Sequence, residues 1–211
     1  MIKIINKNIM LKCIVIGNLS VGKTSLILRY TKNEFAGQYI PTIGADFTTT
    51  PLKIDENYEM VDLNGDHKYI LENQGLSYDE FTEINDQIDE ETKIYLWDLA
   101  GQPFFRKIRN YYMSHAYCAL TIFDLNKPPF EISSWINDLK TFSPNSDFFL
   151  VGNKSDLINT ENPVFKEQID ALEKRHTSKV HLVSAKSAGG VRALFVEMKL
   201  KMMKRLAQSP L

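Results

Sequence analysis

Cysteine is scarce in this chain: Cys13 and Cys118 are the only two among 211 residues. Two isolated cysteines make neither a disulfide framework nor a zinc site. Each lies in an apolar run where its side chain points into a core, and the pattern fits a reducing, cytoplasmic compartment. Net charge is nearly absent as well, at −1, which removes any bulk electrostatic case for nucleic-acid binding. No apolar run approaches the roughly 18 residues of a membrane span. Lysines and asparagines interrupt the first eight residues, so they do not read as a signal peptide. The chain ends Ala207-Gln-Ser-Pro-Leu211 without a cysteine, so no prenyl anchor and no stable membrane attachment are expected.

What is present is an ordinary globular balance, 44% apolar and 24% charged, at a length that suits one domain spanning 1–211. Leu11–Ile16 is a short apolar run before a glycine and reads as a buried parallel strand. A helix is expected over Lys23–Tyr30. Further strands are expected at Ile43–Ile54, Lys93–Trp97, Tyr117–Asp124, Phe148–Val151 and Val180–Val183. Helices are expected at 131–141, at 164–175 with Pro163 in the first turn, and at 190–206. Alternation of this kind predicts an α/β fold, a six-stranded mostly parallel sheet with helices on both faces. Ligands of such sheets bind beyond the carboxyl ends of the strands.

Residues 55–91 break the rhythm. They hold thirteen acidic side chains and one lysine, a net of −12, so the remaining chain carries +11. Asn64-Gly65 between apolar-containing flanks predicts a hairpin over 61–70. Residues 79–91 read as a loop or short helix, and the whole insertion as a solvated loop. The sharper alternative is a partner or regulatory surface folding onto the basic body. Asp62–Asp66 lacks the twelve-residue pattern of a calcium loop. His115, His176 and His181 form no metal or nucleophile constellation.

Four strand ends carry chemistry. Gly17-Asn-Leu-Ser-Val-Gly-Lys-Thr24 matches the glycine-rich phosphate loop between a strand and a helix. Its curl lets the backbone N–H groups of Ser20, Val21, Gly22, Lys23, Thr24 and Ser25 face one phosphate chain, aided by the helix N-terminus. Lys23 reaches the β- and γ-phosphates, and the Thr24 hydroxyl ligates Mg²⁺. After the third predicted strand comes Trp97-Asp-Leu-Ala-Gly-Gln102. Asp98 can hold Mg²⁺ through water, Gly101 offers an N–H to the γ-phosphate, and Gln102 orients the attacking water. After the fifth and sixth predicted strands comes a base pocket. Asp156, within Gly152-Asn153-Lys154-Ser-Asp, can accept two hydrogen bonds from guanine, which adenine cannot supply. Lys154 lays its stem along the purine, and the backbone of Ser184-Ala185-Lys186 meets the guanine carbonyl. A phosphate-loop kinase or ATPase fails on Asp156.

In order and spacing these four elements resemble those of the Ras superfamily of small GTPases, which are P-loop NTPases. Tyr39-Ile-Pro-Thr-Ile-Gly-Ala-Asp-Phe47 is similar to the Rab version of switch I. The resemblance covers about residues 9–54 and 92–206. It implies a GTP/GDP switch that hydrolyses GTP, works in vesicle trafficking, and meets effectors, exchange factors and GTPase-activating proteins through switch I, switch II and the 55–91 insertion. It implies that Phe35 packs on guanine and that Thr42 ligates Mg²⁺. These lie 12 and 19 residues after Lys23. It also implies that Phe47, Trp97 and Tyr112 form an aromatic triad read by effectors; the alternative is ordinary core packing. A monomer peripheral to membranes follows from the same likeness. The basic last helix, with Lys199, Lys201, Lys204 and Arg205, reads as core-packed with a solvated basic face; weak adhesion to an anionic membrane is the alternative.

The chain departs from the family at three places. Leu19 stands where Ras proteins have glycine, Leu99 replaces a threonine, and Pro103-Phe104 replaces Glu-Arg. Slow intrinsic hydrolysis is therefore expected, with a nucleotide-bound interaction module as the alternative function.

Overall fold

Leu11–Ile16 forms β1 with every residue buried, as a strand covered on both faces requires. It is one of six strands in the computed structural model, which describes residues 9–35, 41–55, 66–102, 108–128 and 130–208. The others are β2 (Ala45–Pro51), β3 (Lys93–Leu99), β4 (Cys118–Asp124), β5 (Asp147–Asn153) and β6 (Val180–Leu182). Their order across the sheet is β2-β3-β1-β4-β5-β6. The β1–β4, β4–β5 and β5–β6 pairs are parallel, and Cys13 sits opposite Cys118. Both are buried and neither is in a disulfide. β4 is buried along its whole length, whereas edge strand β2 is mostly exposed. The α/β, mostly parallel sheet expected from the sequence is therefore what forms.

Seven helices lie among the described residues: α1 (Lys23–Lys32), α2 (Asp66–Asn73), α3 (Tyr78–Asp86), α4 (Arg109–Met113), α5 (Ser133–Phe142), α6 (Pro163–His176) and α7 (Val191–Gln208). Local chemistry sets several ends. Asn33 adopts a left-handed conformation beyond α1 and returns its N–H to Arg29 and Leu28 carbonyls. Asn162 caps α6 through Val164 N–H, with Pro163 in the first turn as expected. Helix α4 was not anticipated; five residues are too few for a periodic pattern to show.

The described chain divides into two compact units. One comprises Lys12–Thr48 and Leu96–Val191. In it Trp135 and Leu139 of α5 pack with Ile14, Ile16 and Ala119 of the strands. A second cluster joins Phe165 and Leu172 of α6 to Phe123, Leu150 and Val180. The other unit comprises Thr49–Tyr95 with the described residues of Met1–Leu11 and Arg192–Leu211.

In that second unit the expectations for 55–91 need correction. Residues 66–70 belong to helix α2 and not to the second strand of a hairpin; Asn64-Gly65 lies outside the described residues. Apolar Ile70, Leu71, Leu76, Phe81 and Ile88 are buried, so residues 66–91 are packed structure and not a solvated loop. The reason is visible in spacing: Phe81 and Ile84 stand three residues apart on α3, a helix-compatible apolar pair that the many carboxylates around it obscure, and Ile88 follows beyond the helix end. Ser77 and Glu80 form a reciprocal capping box on α3. Buried Asn85 exchanges two hydrogen bonds with the Ile54 backbone, at 2.9 and 3.0 Å. Gln74 donates to Glu197 at 3.2 Å, and Lys204 donates to the Gln74 carbonyl at 2.6 Å. Lys199 is only 1% exposed. The face expected to be basic and solvated thus buries Lys199 and commits Lys204 to the end of α2.

Candidate functional site

The phosphate-loop residues lie between β1 and α1, as the motif requires. Gly22 has φ +93°, and a Cβ there would lie 2.3 Å from Asn153 Nδ2. A side chain is excluded on both counts. Lys23 is buried, and its Nζ donates to the carbonyls of Gly17 at 3.0 Å and Asn18 at 2.9 Å. The ammonium is thereby held inside the curl of the loop. Asn18 accepts a 2.8 Å hydrogen bond from Trp135 Nε1 and donates to the Glu131 carbonyl at 3.3 Å. A side chain from α5 therefore pins the loop.

Beside the loop three oxygens converge. Thr24 Oγ1 donates to Asp98 Oδ2, Thr42 Oγ1 donates to the same oxygen at 3.1 Å, and the two hydroxyls are 2.9 Å apart. The second carboxylate oxygen, Asp98 Oδ1, is buried without a hydrogen-bond partner. Burial pushes the Asp98 carboxyl above its ordinary range, while the Thr24 hydroxyl, the Lys23 charge and the Thr42 hydroxyl pull it back. An all-oxygen donor set with an orphaned buried carboxylate oxygen suits a small hard cation. The structure thus brings together the three residues expected to be metal ligands.

The segment after Asp98 runs close to the loop. Ala100 N–H donates to the Gly44 carbonyl at 2.9 Å, tying the residues just after Thr42 to those just after Asp98. A Cβ on Gly101 would sit 2.6 Å from the Asn18 carbonyl and 2.7 Å from Leu19 N, so only glycine allows this approach. Gln102 follows, half-buried, and Leu19 is 46% exposed. Pro103 and Phe104 lie outside the described residues, as do Tyr39 and Ile40.

The base-pocket residues also meet. Asn153 is buried; its Nδ2 donates to the Val21 carbonyl at 2.9 Å and its Oδ1 accepts from Ala185 N–H at 3.1 Å. One side chain therefore bolts the phosphate loop to the Ser184–Lys186 loop. Lys154, at φ +68°, donates to Asp124 Oδ2 at 2.7 Å and to the Ser20 carbonyl at 2.9 Å. Asp156 is exposed, with Oδ1 accepting from Ser184 Oγ at 2.6 Å. Phe35 is 42% exposed beyond the end of α1.

Four residues here escaped the sequence reading: Asn18, Arg29, Asp124 and Trp135. Asp124 ends a strand, as Asp98 does, and the strand-end rule that found one could have found the other. Asn18, Arg29 and Trp135 carry no such signal, because their partners are between 113 and 157 residues away.

Phe47, Trp97 and Tyr112 do form a contiguous aromatic group, with ring centroids 5.9 and 6.3 Å apart along the chain of three. Phe47 is 65% exposed, which core packing does not explain. Lys12 Nζ lies 4.6 Å over the Trp97 ring and donates to the Ser114 carbonyl at 3.0 Å.

With this geometry in place, known proteins give a consistent answer. The model of the Ras family matches residues 12–204. Ras-related protein Rab-18 of Lymnaea stagnalis is 30% identical over 204 residues, covering 95% of this chain and 82% of the relative. RabC of Dictyostelium discoideum is 26% identical over 192 residues, covering 90% and 82%. GTP-binding protein ypt5 of Schizosaccharomyces pombe is 29% identical over 194 residues, covering 90% and 77%. These relatives do not favour the reading as a non-hydrolysing interaction module. The chain belongs to the Ras family and is a Rab-like small GTPase, which binds guanine nucleotide, hydrolyses GTP and acts as a molecular switch.

Proposed function

We propose that the chain is a Mg²⁺-dependent GTP/GDP switch whose γ-phosphate state is read through Thr42 and Gly101. The convergence of Thr24 and Thr42 hydroxyls on Asp98, with Asp98 Oδ1 buried and unpaired, carries this reading. Thr24 and Thr42 would hold the ion directly and Asp98 through water. Mg²⁺, when bound, neutralises charge developing on the phosphates.

The rest of the machinery is protein. The N–H groups of Ser20, Val21, Gly22, Lys23, Thr24 and Ser25 cradle the phosphates. Lys23 stabilises their charge, and Gly101 N–H holds the γ-phosphate. Gln102 orients the water that attacks the γ-phosphorus. Phe35, Asn153, Lys154, Asp156, Ser184, Ala185 and Lys186 form the guanine pocket, with Asp156 selecting the base and Asn153 acting chiefly by joining the two loops. Loss of the γ-phosphate releases Thr42 and Gly101, and the switch segments relax.

Hydrolysis is slow on this reading. Gly101 runs against the Leu19 backbone, and on this reading the leucine side chain, where the family has glycine, restricts the neighbouring Gln102. Residues 35–47 contain no arginine, and one supplied in trans would raise the rate roughly 10³–10⁵-fold. The exposed Phe47 with Trp97 and Tyr112 is the surface for effectors, exchange factors and activating proteins. The names of the Rab relatives support a place in vesicle traffic. Among the described residues no helix is long and apolar enough to cross a membrane; we read the chain as cytoplasmic, peripheral to membranes, monomeric, and a single G domain carrying the 55–91 insertion.

Single-turnover hydrolysis of GTP on Mg²⁺-loaded protein tests the reading. GDP should form over hours, and Gln102→Leu should abolish it. Leu19→Gly should speed it; an unchanged rate would remove Leu19 as the cause of slowness.

A further inference from the structure

We propose that Arg29 is a positioning residue for base recognition, holding the Ser184–Lys186 loop at the height where its backbone meets the guanine carbonyl. The proposal rests on the base pocket described above. Arg29 lies in the last turn of α1, six residues after Lys23, about 9 Å along the helix axis. Its guanidinium makes four hydrogen bonds, three to backbone oxygens and one to a side-chain amide oxygen. Nε donates to the Ala185 carbonyl at 2.8 Å and Nη2 to the Lys186 carbonyl at 3.1 Å. Nη1 donates to Asn33 O and Asn33 Oδ1, both at 2.9 Å. The fork thus spans two successive carbonyls of the loop while anchored on the residue that caps its own helix.

The loop is held from two sides. Ala185 N–H goes to Asn153 and Ala185 C=O goes to Arg29, so the peptide groups around Ala185 cannot rotate without breaking a buried or charged hydrogen bond. Helix α1 begins at the phosphate loop, so the phosphate end and the base end are set by one rigid element. A planar five-donor fork can do this and an ammonium cannot, since lysine presents one nitrogen where two carbonyls and an amide must be met. The guanidinium also opposes the negative end of the α1 dipole, which favours its staying in place.

This predicts a loss confined to the carbonyl edge of the base. Affinities of the full chain with Mg²⁺ should be measured by competition for three diphosphates: GDP, IDP, and an aminopurine riboside diphosphate that keeps the exocyclic amine but lacks the ring carbonyl. Arg29→Ala should weaken GDP and IDP about tenfold or more and leave the aminopurine nucleotide within about twofold. The preference for GDP over IDP, which reads the exocyclic amine at Asp156, should not move. Arg29→Lys should lose about threefold on the same two nucleotides, and it carries the test if the alanine variant does not fold. Equal weakening of all three nucleotides would reduce Arg29 to a general structural role, and no weakening would remove it; either overturns the proposal. If the unaltered chain does not prefer GDP to the aminopurine nucleotide, the pocket reading fails and takes this one with it.

Discussion

The nucleotide-binding loops and the 66–91 insertion are built by different means. The loops are short, glycine-bearing and held by side chains that hydrogen-bond to backbone, Asn153 to Val21 and Ala185 and Arg29 to Ala185 and Lys186, and by Trp135 on the Asn18 side chain. The insertion is held by buried apolar surface, with Phe81 at 0% and Ile88 at 2% exposure, and by local caps such as Ser77–Glu80. Directional bonds fix backbone groups where a ligand needs them. Apolar burial is non-directional and stabilises without setting donor positions. Changes in the two regions should therefore damage different properties.

The largest expected effect is on stability, at Phe81→Ala. Removing a fully buried ring costs about 3–5 kcal/mol, measured by urea unfolding, while the GDP release rate of the folded fraction should change less than about threefold. A matching rise in release would break the distinction between the regions. Next comes Asn153→Ala. It leaves Val21 C=O and Ala185 N–H without their partner, at about 1–3 kcal/mol for each group, and here GDP release should accelerate by more than the stability loss explains. Stopped-flow release of a fluorescent GDP measures it; unchanged release would mean that Asn153 is a core residue and not a bolt between loops.

The smallest effect is at Ser77→Ala, about 1 kcal/mol for a lost helix cap. Its pH dependence sharpens the comparison. The Ser77 backbone N–H, and then its hydroxyl, hold the Glu80 carboxyl below its ordinary value of 4.5. A depressed carboxylate contributes stability that is present above that value and is lost as pH falls through the lower folded-state value. Unfolding followed from pH 6 down to pH 3 should therefore show a steeper acid loss in the unaltered chain than in Ser77→Ala. Parallel curves would mean that the Ser77 hydroxyl does not hold the Glu80 carboxyl down in solution.

How much was legible beforehand differs along the same line. Gly22, Lys23, Thr24, Asp98, Asn153 and Asp156 could be named from spacing, because each follows a strand at a fixed offset and short-range geometry leaves few places for it. The mutual approach of Thr24, Thr42 and Asp98 was legible too, through likeness to a family. The hairpin over 61–70 was misread because Asn-Gly is a local turn signal, and α2 follows it where a strand was expected. Lys199 was misread because a lysine on a helix is solvated by default, and only the residues packed around it show otherwise.

By itself the sequence determined the strand and helix alternation, the phosphate loop, and the residues at the strand ends, since these depend on periodicity of 2.0 or 3.6 residues and on the φ freedom of glycine at a few positions. Only the tertiary structure decided that Trp135 reaches Asn18, that Arg29 spans Ala185 and Lys186, and that Phe81 and Lys199 are buried. Those contacts join residues far apart in the chain. Their free energy comes from removing both partners from water together, and no local window of sequence contains both.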